Sequence, residues 1–146
     1  MRQELDLTPT LIDSGFLFAL LYAHDRLHTR CRSVFMRGQF TSLIPEIVLA
    51  ETAYLFRRET AAGDLAFLKA LQIFKPELVS LSYIDLERAL EIRVHYQHFN
   101  FVDCCIMAQA ERLNITHICT LDMRDFSQFR PRHIPFFVLL PAMLPE

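Results

Sequence analysis

Apolar residues fall along this chain in runs of two kinds that alternate: brief continuous runs suited to buried strands, and longer periodic segments suited to helices. Leu11 to Asp13 reads as a short strand, and Gly15 to Tyr22 as a helix. A break near His24-Asp25 precedes a second amphipathic segment through Met36. Thr41 to Ile44 is the next strand, and Pro45 stands at the favoured first position of a helix that runs to about Arg58. A helix over Asp64 to Phe74 stops at Pro76, and Leu78 to Leu81 returns as strand. Ser82 and Asp85 then have capping-box spacing at the head of a helix that reaches about His95. Phe101 to Leu113 is helical, Thr116 to Leu121 extended, and Pro135 to Leu140 a final strand bounded by prolines.

Strands that alternate with helices predict an α/β fold around a mainly parallel sheet. No repeat, low-complexity tract or linker divides the chain, and glycine and proline together number ten, so residues 1–146 are expected to form one domain. At 52% hydrophobic and 22% charged residues, the composition is that of a folded globular protein. Ligands of such sheets bind beyond the carboxyl ends of strands, at a topological switch point. Asp13 and Asp122 each close a predicted strand, and so lie at such ends.

Four acids occupy positions where apolar residues are expected. Asp13 sits between the apolar runs Leu11-Ile12 and Phe16 to Leu21, and Asp122 follows Ile118 to Leu121. Glu51 has Ile47, Val48, Tyr54 and Leu55 at helical spacing around it, and Asp103 has Ile106, Met107 and Ala110. A buried carboxylate must be paired, protonated or bound to a cation. Four together point to a cation.

A net charge of −2 leaves no global electrostatic footprint for nucleic acid, so such a partner would need a local patch. The longest apolar stretch, Gly15 to Ala23, is too short to span a bilayer. Acidic residues ahead of it, Glu4, Asp6 and Asp13, do not suit a signal peptide, and the expected location is cytoplasmic, with no membrane partner. Cys31, Cys104, Cys105 and Cys119 show no CxxC spacing and read as reduced, buried thiols. His24 and His28 lack a third ligand of matching type and read as surface or packing residues. Phe16, Phe18, Phe35, Phe56 and Phe67 fall in periodic segments as core or dimer contacts.

The segments LIDSGFLFALL, IPEIVLAETAYLF, FVDCCIMAQAERL and CTLDMRDF, in this order and at these separations, resemble the PIN-domain ribonucleases, and especially the VapC-like toxins. The likeness covers nearly the whole chain. It implies a three-layer α/β/α sandwich and an endoribonuclease that depends on magnesium or manganese. It carries over Asp13, Glu51, Asp103 and Asp122 as the metal-site acids. It also implies RNA as substrate, a cognate antitoxin and a homodimer. Magnesium takes oxygen ligands, often only one or two carboxylates, so four acids suffice for one or two ions. Asp13 and Asp103 are expected as the most direct ligands, with Glu51 and Asp122 orienting water or completing a second site.

Ser14 and Thr120 are candidates to orient a carboxylate or bind a phosphate oxygen, and equally candidates for helix caps. Asp125, three residues after Asp122, is a candidate to contribute to metal binding, against a solvated loop carboxylate or a cap for the following turn, and stays outside the core acid set. Arg124, Arg130 and Arg132 are candidates for RNA phosphate contacts, against ordinary surface charge. The competing readings are a catalytically silent PIN-like binding module, a housekeeping RNA-processing nuclease and a receiver-like domain. The last needs a lysine near a late strand, and the chain has lysine only at Lys69 and Lys75.

Overall fold

Strands and helices alternate through residues 7–141, the part of the chain that the computed structural model describes. Glu4 and Asp6, used above against a signal peptide, lie outside those residues. The order is β1 (Thr8–Ile12), α1 (Ser14–Leu21), α2 (His28–Arg37), β2 (Phe40–Pro45), α3 (Glu46–Glu59), α4 (Gly63–Phe74), β3 (Glu77–Val79), α5 (Tyr83–His95), α6 (Phe101–Arg112), β4 (His117–Cys119), α7 (Met123–Gln128) and β5 (Val138–Leu140).

Local chemistry sets most of these boundaries. Ser82 and Asp85 close the expected capping box: the Ser82 N–H donates to Asp85 Oδ2 at 2.9 Å, and the Asp85 N–H donates to Ser82 Oγ at 3.3 Å. Asn100 caps α6 by accepting from the Asp103 N–H at 2.8 Å. Other boundaries differ from the sequence reading. β1 begins earlier, at Thr8, because Thr8 to Thr10 pair with Phe40 to Ser42 despite being only partly apolar. Pro45 is the last residue of β2 and pairs with Val79, since its φ of −57° suits a helix but its ψ of 129° is extended. β5 is shorter than the predicted strand, and a helix of six residues, α7, follows Asp122 where only a turn was expected.

All strand pairs are parallel, in the order β3-β2-β1-β4-β5. From β1 the chain steps outward to β2 and β3, then returns across the sheet to β4 and β5 on the other side of β1. Right-handed crossovers place the helices of outward steps on one face and those of the returning step on the other. The packing agrees: α1 meets α2 and α3, and α3 meets α4, whereas α5 packs on α6. These are the layers of an α/β/α sandwich. Helix α6 is buried almost all round, from Asp103 to Ala110, against Leu11, Ile12 and Ile118 of the sheet core. Each such large apolar side chain removed from water contributes about 1.5–3 kcal/mol. An aromatic cluster of Tyr96, Phe99, Phe129 and Phe137 joins the loop before α6 to the segment after α7, with the Tyr96 and Phe99 rings stacked at 4.6 Å.

Because the strand order reverses at β1, a crevice opens between the carboxyl ends of β1 and β4. The functional candidates gather there.

Candidate active site

Asp13 directly follows β1, where its N–H extends the ladder by donating to Cys119 O of β4 at 2.9 Å. Its carboxylate caps α1, accepting from the Ser14 N–H at 2.7 Å. The cap of α1 is therefore Asp13, not Ser14, and Ser14 is left to orient acids: its hydroxyl lies 3.5 Å from Asp13 Oδ1 and donates to Glu51 Oε1. Thr120 does the same from the β4 side. Its hydroxyl donates to Asp13 Oδ2 at 2.8 Å and accepts from the Asp122 N–H at 3.0 Å.

Asp122 caps α7, and Asp103 enters from the first turn of α6. A cavity of about 440 Å³ is lined by Asp13, Ser14, Gly15, Glu51, Asn100, Asp103, Leu121 and Asp122. All four acids singled out from the sequence thus meet at one cavity. Asp13 and Asp103 are buried, at 5% and 4% exposure. Burial raises the Asp13 carboxyl above its ordinary range, against the opposing hydrogen bonds from Thr120 and Ser14. Burial, with the charges of Asp13 and Asp122, pushes Asp103 up to about 9.

Asp103 Oδ2 is buried without a hydrogen-bond donor, and the side chains that line the cavity and can donate electron pairs do so through oxygen alone. That set fits magnesium or manganese, which favour carboxylate, carbonyl and water oxygens. It offers neither imidazole nor thiolate to a softer ion.

Three residues escaped the sequence reading or were set aside. Asn100 lines the cavity; its spacing of three residues before Asp103 is a cap signal. Asp125 brings a carboxylate oxygen within 4.8 Å of oxygens of both Asp103 and Asp122. His98 stands behind it, 3.7 Å from Asp125 Oδ1. No sequence pattern links His98 to α7.

The three arginines do not line the cavity. Arg130 folds back so that Nη1 donates to Ser127 O at 2.6 Å, and Arg132 donates to Glu91 and Glu111. Arg124 is exposed on α7. His28 Nδ1 donates to Ala19 O, His24 packs on Tyr22, and the four cysteines are buried and free. Phe16, Phe18, Phe56 and Phe67 are core residues, and Phe35 packs edge-on against Phe40.

Fold and site define a parallel α/β protein with an all-oxygen acid pocket at its switch point. The chain belongs to the PIN domain family, whose model matches residues 10–130. It is similar to Ribonuclease VapC26 of Mycobacterium tuberculosis, with 27% identity over 134 residues that cover 90% of this chain and 99% of that protein. Its fold is similar to that of VapC20 of the same organism, a sarcin-ricin-loop-cleaving toxin, at a TM-score of 0.73 and 23% identity, covering 86% of this chain and 98% of the other. A toxin-antitoxin complex from Klebsiella pneumoniae contains another such fold, at a TM-score of 0.65 and 18% identity over 88% and 99% of the two chains.

Proposed function

We propose that this protein is a magnesium- or manganese-dependent endoribonuclease that acts as the toxin of a toxin-antitoxin pair. The observation that carries this reading is the meeting of Asp13, Glu51, Asp103 and Asp122 at one cavity, with a buried Asp103 oxygen that no protein donor satisfies. Those four acids would hold the ion. A bound ion supplies an activated water and charge neutralisation at the phosphoryl oxygens. The protein's own part is positioning. Ser14 and Thr120 fix Asp13 from two sides, Ser14 also ties Glu51, and Asn100 sets the first turn of α6 so that Asp103 faces the cavity. Hydrolysis in such a site needs no side-chain nucleophile, in keeping with buried cysteines whose thiols burial pushes up to about 11 or 12.

Partners follow from the same reading. An antitoxin has an apolar surface to cover in a second cavity of about 690 Å³, whose walls include Leu17, Leu20, Phe67, Leu71 and Phe74. A homodimer is supported by α5, which exposes Tyr83, Leu90 and Val94 along one face. No helix among the described residues is long and apolar enough to cross a membrane.

The test is cleavage of a structured RNA panel by purified protein, with manganese or magnesium and after chelation. Cleavage that requires the added ion and disappears in Asp13→Asn supports the reading. Full activity in the presence of chelator removes the metal from it.

A further inference from the structure

Asp85, Asp103 and Asp125 each stand third in their helices, and Asp85 and Asp125 are used differently. In α5, Asp85 turns back and accepts from the N–H of its cap residue, Ser82. In α7, the equivalent N–H belongs to Asp122 and donates to Thr120 Oγ1 instead. Asp125 is thereby released from the usual capping role. Its carboxylate is turned toward Asp103 and Asp122, with oxygens of all three within 4.8 Å, and its side chain is only 16% exposed.

Three carboxylates at this spacing repel one another, and one of them, Asp103, has a buried oxygen without a donor. Beside Asp125 stands His98 Nε2, which lies 2.8 Å from Gln128 Oε1 and 3.7 Å from Asp125 Oδ1. The amide oxygen of Gln128 accepts from His98 Nε2–H, and that bond holds the ring next to Asp125 Oδ1. His98 is itself held by the edge-on contact of its ring with Phe99.

We propose that Asp125 is a further oxygen donor to the divalent ion of this site, and that His98 is the residue that positions it. The inference rests on the metal-nuclease reading above. It divides the acids into two groups: Asp13 and Glu51, joined by the Ser14 hydroxyl, and Asp103, Asp122 and Asp125 on the α6–α7 side. Partners behind a ligating group are worth about 10–100-fold in metal affinity.

The experiment is a manganese titration of the full chain, followed by the paramagnetic resonance signal of free manganese, in wild type, Asp125→Asn, His98→Ala and His98→Gln. Asp125→Asn is expected to weaken manganese at least about 10-fold, His98→Ala about 10-fold, and His98→Gln much less, because the amide N–H reaches the same place. Far-ultraviolet circular dichroism checks folding, and the exposed His98 supplies the variant least dependent on it. Unchanged affinity in Asp125→Asn overturns the donor role while the metal-nuclease reading stands. A loss in His98→Ala that His98→Gln fails to restore overturns the positioning role. Absence of manganese binding in wild type overturns the reading beneath both.

Discussion

Thr120 and Asp13 are joined by a 2.8 Å hydrogen bond that crosses from the end of β4 to the end of β1. The same hydroxyl accepts from the Asp122 N–H, so one buried threonine fixes the relative placement of two acids 109 positions apart in the chain. Thr120→Val keeps the shape and removes both bonds. It is expected to destabilise the fold by about 1–3 kcal/mol, the cost of leaving a buried polar group unsatisfied, and to slow RNA cleavage at least about 10-fold. Thr120→Ser should retain both properties. Urea denaturation and single-turnover cleavage measure the two effects, and equal rates in wild type and valine variant would show that the bond has no part in the site.

Asp103→Asn removes a charged oxygen with little change in volume. RNA cleavage should be abolished, while the metal-free protein melts at a higher temperature near neutral pH, because a neutral amide escapes the cost of protonating on folding a carboxyl that is ionised in the unfolded chain. Wild type should gain about 2.7 kcal/mol at an ion concentration 100 times the dissociation constant, since the ion binds only the folded state. The variant should lose most of that gain. Thermal unfolding with and without manganese checks this, and equal shifts in both proteins would place the ion elsewhere.

Stability of the metal-free protein should depend on pH with opposite slopes on two sides. Asp103 titrates near 9 when folded and near its ordinary 3.8 when unfolded, so its contribution is fully present below about 4 and is lost as pH rises toward 9. Asp13 acts in the same direction. Burial opposes ionisation of Asp85 and Glu111, yet hydrogen bonds from Arg112 and Arg88 hold both below the usual carboxylate range. Their contribution is lost as pH falls through those depressed values. Maximum stability is therefore expected in mildly acidic solution, and saturating magnesium should flatten the decline above it. Chemical denaturation from pH 4 to 9 tests the sign; a rise across that range would contradict it.

The arginines should separate by role. Arg124→Ala is expected to weaken RNA binding and reduce its salt dependence by about one ion, as loss of a phosphate contact does. Arg132→Ala should act mainly on the fold, through its exposed contact with Glu91, and by no more than about 1 kcal/mol. Arg130→Ala should likewise leave the salt slope unchanged, because its guanidinium is engaged by backbone carbonyls. Filter binding at several salt concentrations distinguishes the three, and a uniform response would make them one surface.

The sequence carried the four acids because each interrupts an apolar pattern, and such interruptions survive folding as buried or half-buried carboxyl groups, three of them at strand or helix ends and Glu51 inside α3. The alternation of elements likewise announced a parallel sheet. Two kinds of information were absent. Helix α7 has six residues, less than two turns, so its apolar period never becomes visible; with it went the approach of Asp125 to Asp103 and Asp122. The fates of Arg130, Arg132 and His98 depend on partners from other elements or on a chain reversal, and no local spacing encodes those. Pro45 misled for a simpler reason: its fixed φ is equally at home in the last residue of a strand and the first of a helix.

The reversal of strand order at β1 has a consequence for synthesis. The pocket draws on residues from 13 to 122, and its central strand is completed on one side only by β4, at residues 117–119. A ribosome that has made three quarters of this chain has therefore produced no working pocket at all. The acids converge only when nearly the whole polypeptide has emerged and folded, so a truncated or stalled product carries the acids without the pocket that gathers them.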